Sequence, residues 1–141
     1  MAITHTFVSA IADGGDTSLV QPSNWNAAHA GSPIAWTEVT GASQNMATNN
    51  GYIANNAGLV TVTLPTTLAL GDIVEVVGKG SGGWKIAQNA GQTIHFGSLD
   101  TTAGTGGSLA STNRYDSIAL RCITADTDLS VLGVQGNLTI V

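Results

Sequence analysis

The groups of this chain that could do chemistry are few and scattered. His5, His29 and His95 are far apart, and none stands beside an Asp, Glu or Cys at ligand spacing. A zinc site needs three or four ligands converging on one point, so one chain is expected to hold no metal. Three copies of one histidine around a three-fold axis are the only route to one. Asp13-Gly-Gly-Asp16 and Asp126-Thr-Asp128 bring carboxylates together, but lack the ligand spacing of an EF-hand and read as turns. Gly78, Gly80, Gly82 and Gly83 surround Lys79, yet this run lacks the strand–helix setting and G-K-[S/T] ending of a phosphate loop. Nothing marks a strained nucleophile turn, and no carboxylate pair is set across a recognisable cleft. No enzymatic activity and no cofactor are expected. Carbohydrate contact is the chemistry that stays open. Trp84, Trp36 and Tyr52 would stack on sugar rings while loop Asn and Asp side chains bind hydroxyls. Trp84 follows the glycine run, which favours exposure, but alternates with Ile86, which favours the core.

Composition narrows the class. The chain has 141 residues, enough for one compact domain and a tail. Hydrophobic residues make up 43%, but charged residues only 9%, against about 25% in ordinary domains. Thr, Ser, Asn and 18 Gly fill the gap. Such a neutral, short-branched surface suits a β-rich particle or a subunit covered by neighbours better than a free enzyme. Net charge is −5, with Lys79, Lys85, Arg114 and Arg121 as the only cations. Four dispersed cations cannot neutralise a phosphate backbone or an anionic membrane, so neither partner is expected. Cys122 lies in the apolar run Ile118–Ile123 and reads as a small core residue. The first residues have neither a cationic nor an apolar signal-peptide region, and no apolar run reaches membrane-spanning length. The chain is therefore expected to be made in a cytoplasm and to leave it by lysis or within a larger assembly.

The elements that must position these side chains are strands. Leu59, Val60, Val62 and Leu64 alternate with Thr61 and Thr63, a half-buried strand ended by Pro65. Ile73 to Val77 places Glu75 outward between packing neighbours. The glycine run Gly78–Gly83 then reads as a mobile hairpin loop. Trp84, Ile86 and Ala87 resume the alternation, with Lys85 and Gln88 outward. Thr93–Phe96 is a further short strand. Ser117–Thr124 sets Ile118, Leu120 and Cys122 on one face. Leu129–Val134 and Leu138–Val141 close the chain, after earlier strands at Ile34–Val39 and Tyr52–Ala54. Nine or ten short strands at about ten-residue spacing predict an all-β fold, an antiparallel β-sandwich or jelly roll, over residues 34–141.

Residues 1–33 read as an extended N-terminal docking arm. Asp13-Gly-Gly-Asp16 interrupts its apolar residues, Pro22 keeps its centre extended, and Ser23 caps a short helix over Asn24–Ala30 that Gly31-Ser-Pro33 stops. Trp25 would either anchor the arm on a scaffold or pack on its own domain.

Two stretches resemble a known class of proteins. Residues 13–30, DGGDTSLVQPSNWNAAHA, resemble an N-terminal element of tailed-bacteriophage virion proteins, with the pattern D-G-x-x-x-x-L-V-x-P-S-x-W-N-x-x-H. Residues 51–97 resemble β-domains at the ends of phage tail fibres. The resemblance implies a structural protein on the outside of a virion: a capsid decoration protein or a short head or tail fibre. It also implies a homotrimer docked to other virion proteins through Leu19, Val20, Pro22, Trp25, Asn26 and His29. No shaft repeat, collagen period or heptad separates arm from body, which argues against a long fibre. A receptor-binding tip that recognises a host glycan through Trp84 and Tyr52 is the alternative.

Overall fold

The computed structural model describes residues 11–15, 23 and 34–141. The chain divides between Ala35 and Trp36 into two units. In the first, the Asp13 carboxylate accepts hydrogen bonds from the Ser23 N–H (2.8 Å) and hydroxyl. These bonds hold its pKa below the usual carboxylate value. Asp13 is thus engaged by Ser23. The short helix expected at 24–30 and the docking residues Leu19, Val20, Pro22, Trp25, Asn26 and His29 lie outside the described residues.

The second unit is all-β, two packed sheets. Its strands are β1 (Ala35–Val39), β2 (Ser43–Asn45), β3 (Asn50–Ala54), β4 (Val60–Thr63), β5 (Ile73–Gly78), β6 (Trp84–Ala87), β7 (Thr93–Phe96), β8 (Leu99–Asp100), β9 (Ser108–Ser111), β10 (Ser117–Thr124), β11 (Asp128–Gln135) and β12 (Leu138–Ile140). A single 3₁₀ turn spans Gly104–Gly106. The larger sheet runs β1-β3-β5-β10-β11-β7-β8 and the smaller β12-β9-β6-β4-β2.

The expected antiparallel pairing gives way to mixed sheets. From β1 to β7 each strand lies in the sheet opposite its predecessor. Neighbours within a sheet are therefore one full circuit apart and run parallel: β3 with β5, β2 with β4, β4 with β6. The reason lies in the loops. The glycine run after β5 does not turn back as a hairpin; it crosses to the other sheet and stacks on the loop after β3. Lys79 and Gly80 N–H groups donate to the Ala54 carbonyl and Gly82 N–H to the Asn56 carbonyl. A Cβ at Gly80 would come 2.2 Å from the Asn56 backbone, and one at Gly82 2.0 Å from the Gly58 backbone. Glycine is needed because the two loops touch backbone to backbone.

The coil is interrupted once. The β10–β11 hairpin, turned at Asp126 with φ +63°, inserts between β5 and β7. β10 pairs antiparallel with β5 and with β11, and β7 pairs parallel with β11. Antiparallel β9 and β12 complete the smaller sheet.

Alternation fills the interior as the residue pattern dictates. Trp84, Ile86, Val60, Val62 and Leu109 from the smaller sheet meet Val74, Val76, Leu120, Cys122 and Leu129 from the larger, all essentially inaccessible to solvent. Each Val, Leu or Ile among them contributes about 1.5–3 kcal/mol on burial. Gln88, expected outward, is also buried. Its Nε2 donates to the carbonyls of Gln92 and Thr102, tying the end of β6 to the following loops. No described helix is long and apolar enough to cross a membrane.

Candidate functional site

The glycan contacts expected at Trp84 and Tyr52 are corrected by burial. Trp84 is 0% exposed and Tyr52 4%. Alternation on β6 sends Trp84 inward with Ile86, and its parallel partner Val60 is equally buried. The Trp84 indole N–H donates to the Asp116 carbonyl at 2.8 Å, and its backbone N–H to Ser111 Oγ at 2.8 Å. The Tyr52 hydroxyl accepts from the Ala47 N–H at 2.6 Å. Neither ring has a face to offer a ligand.

Trp36, the third aromatic of that set, is placed differently. It is 49% exposed on β1, at the edge of the larger sheet. A Cβ built on Gly51 of β3 would lie 2.5, 2.6 and 2.7 Å from Trp36 Cδ2, Cε3 and Cε2. Three ring atoms at nearly equal distance mean that the indole lies face-on over the Gly51 Cα. One face is pressed on the sheet and the other is turned to solvent. Only glycine leaves room for this.

Beside the ring runs a shallow groove of about 390 Å³, lined by Trp36, Glu75, Val77, Ser117, Ala119, Gly133, Val134 and Gln135, among others. The register explains its shape. Gly51, Glu75, Ala119 and Gly133 are successive partners across β3, β5, β10 and β11, and so are Ile53, Val77, Ser117 and Gln135. Alanine and glycine make a low floor between the indole and the Gln135 end. Three strand spacings of about 4.8 Å each give the first row a length of roughly 14 Å.

The other described carboxylates are engaged internally. Glu38 binds Lys79 Nζ (2.5 Å) and Asn55 Nδ2 (2.8 Å), which lowers its pKa. Asp72 takes Asn49 Nδ2 and the Ala69 N–H, Asp126 the Leu68 N–H, and Asp116 the N–H groups of Thr112 and Asn113. These acids cap turns, as their sequence positions suggest. Among the described carboxylates Glu75 alone accepts no hydrogen bond from the chain, and the side chains of Ser117 and Gln135 are likewise without internal partners.

His95 forms a second cluster that sequence spacing did not reveal. Its Nδ1–H donates to Asp100 Oδ1 at 2.7 Å, and Nε2 lies 3.5 Å from Asp128 Oδ1. The Asp100 hydrogen bond is the main cause raising the imidazole pKa, with Asp128 adding to it. Asp128 is itself lowered, first by a hydrogen bond from Thr124. The two carboxylates face opposite ring nitrogens and cannot converge on one ion. Among the described residues no group of three or more His, Cys, Asp or Glu is arranged to hold a metal. The cluster links β7, β8 and β11 as a clasp.

Cys122 is buried, and burial pushes its thiol pKa up, away from the reactive thiolate. No protein-family model matches the chain, and the search of curated proteins finds no significant match.

Proposed function

We propose that this chain is a non-enzymatic structural protein on the exterior of a tailed-phage virion, assembled as a homotrimer and docked by its N-terminal arm, residues 1–33. The low charge content and the phage-like stretches 13–30 and 51–97 support this reading. The observation that carries the assembly is an exposed apolar pair. Leu70 is 76% exposed and Ile123 47%. They flank the hydrogen bond from Gly71 N–H to the Cys122 carbonyl, so they lie close together. A surface this poor in charge gains by covering such side chains with another copy. The function is then geometric: a β body, self-association at apolar positions, and several arms acting together on one scaffold.

Native mass spectrometry of the full chain tests the assembly. A species of three chains that persists on dilution is expected, and the Leu70→Asp, Ile123→Asp double variant should be monomeric. A wild-type monomer at every concentration overturns the trimer. Deletion of residues 1–30 should leave the β body folded but absent from purified particles; incorporation of the truncated chain would overturn the docking arm.

A further inference from the structure

We propose that the groove on the outer face of the larger sheet binds a neutral saccharide of two to three pyranose rings, with Trp36 as its stacking platform. This goes beyond the virion reading and stands whether or not the chain forms a trimer. The indole is held flat over Gly51 with one face free. That is the geometry needed to cover the C–H face of a pyranose, and an exposed ring already fixed in place loses little entropy on binding. Along the groove from it stand a carboxylate, a hydroxyl and, at the far end, a carboxamide, Glu75, Ser117 and Gln135, which the fold leaves without internal hydrogen bonds. The planar carboxylate and carboxamide and the rotatable hydroxyl suit sugar hydroxyls. The floor of Ala119 and Gly133 lets a flat ligand descend to the backbone.

Charge and length narrow the ligand. The groove lining holds one carboxylate and no cation; Arg121 stands two residues beyond Ala119 on β10, outside it. An acidic sugar would meet repulsion from Glu75. The row of about 14 Å from Gly51 to Gly133 fits two to three rings of roughly 5 Å each. A second copy of this chain is a poorer occupant, because it would bury the Glu75 carboxylate and the chain carries only four cations to set against it.

The test is titration of the isotope-labelled full chain with lactose, cellobiose and N,N′-diacetylchitobiose, with 6′-sialyllactose as the acidic contrast, followed by amide and indole resonances. At least one neutral probe should shift the Trp36 indole N–H, Gly133 and the Gln135 carboxamide, at concentrations up to about 10 mM, and leave the Trp84 indole N–H in place. Trp36→Ala should weaken binding about tenfold or more. Trp36→Phe, which keeps a ring, should restore part of it, and the near-isosteric Glu75→Gln should weaken it without disturbing the fold. The proposal is overturned if no neutral probe moves the Trp36 signal, if binding survives both Trp36→Ala and Glu75→Gln unchanged, or if the acidic sugar binds more tightly than the neutral ones. It is also overturned if Trp36→Ala lowers the native mass, since the face would then be a contact between copies.

Discussion

Trp84 and Trp36 both depend on glycine, and they do opposite things. Around Trp84 the chain is closed. The ring is sealed between the sheets, its N–H satisfied by the Asp116 carbonyl, and the preceding loop is locked because Gly82 lies against the Gly58 backbone. Around Trp36 the chain is open. The ring lies on the outside over Gly51, and the groups beside it have no partner in the fold. In the first region close packing is used up on stability; in the second, an ordered surface is left over.

Substitutions can break or sharpen that contrast. Trp84→Ala should have the largest effect, a loss of about 3–5 kcal/mol in denaturant unfolding, since it empties a sealed site and leaves the Asp116 carbonyl with the Gly78 N–H alone. Trp36→Ala should cost less than about 1 kcal/mol in the same assay. Equal losses would show that the two sites do not differ as described. The glycines should split in the same way. Gly82→Ala places a methyl 2.0 Å from immovable backbone and should cost roughly 2–3 kcal/mol. Gly51→Ala meets a ring that can swing outward, so stability should change by less than about 1 kcal/mol, while the upfield shift that the indole imposes on the residue 51 α-proton disappears.

The smallest expected effect lies away from both tryptophans. The folded-state pKa of His95 is raised by Asp100 and Asp128, so the protonated ring stabilises the fold below its unfolded pKa near 6.5. That contribution is lost as pH rises through the raised value. The unfolding midpoint should fall by on the order of 1–2 °C from pH 6 to pH 8. His95→Gln should flatten this dependence over that range, and a slope left unchanged in the variant would count against the clasp.

The sequence made most strands legible and left their partners hidden. Strands β4, β5, β6, β7 and β10 carry period-two alternation of β-branched and apolar residues, and their bounds could be read closely. β2 and β9 could not, because Ser43-Gln44-Asn45 and Ser108-Leu109-Ala110-Ser111 take their strand character from neighbours rather than from composition. Parallel pairing was out of reach for a different reason. A short glycine loop serves equally to turn back within a sheet or to cross between sheets, and only the stacking of Gly80 and Gly82 on the loop below decides. For the site, the candidate aromatics were visible as a set. Alternation argued for a buried Trp84, but the exposed one could be found only once Gly51 was known to lie beneath Trp36. The Asp100–His95–Asp128 clasp stayed unread because Asp128 is brought to His95 by the parallel β7–β11 pairing, over a long separation in the chain.

The inserted β10–β11 hairpin has a consequence for how the protein is made. β5 ends at Gly78, and the strand that covers its free edge begins at Ser117. About 40 residues must leave the ribosome in between, which takes roughly 2–8 s at ordinary elongation rates. Through that interval the nascent coil carries an uncapped, valine-rich edge, the kind of surface that recruits other strands. Crowded synthesis of many copies at once is when that vulnerability is greatest. A chain whose coil closed with β7 directly against β5 would pass through the same window about 25 residues sooner.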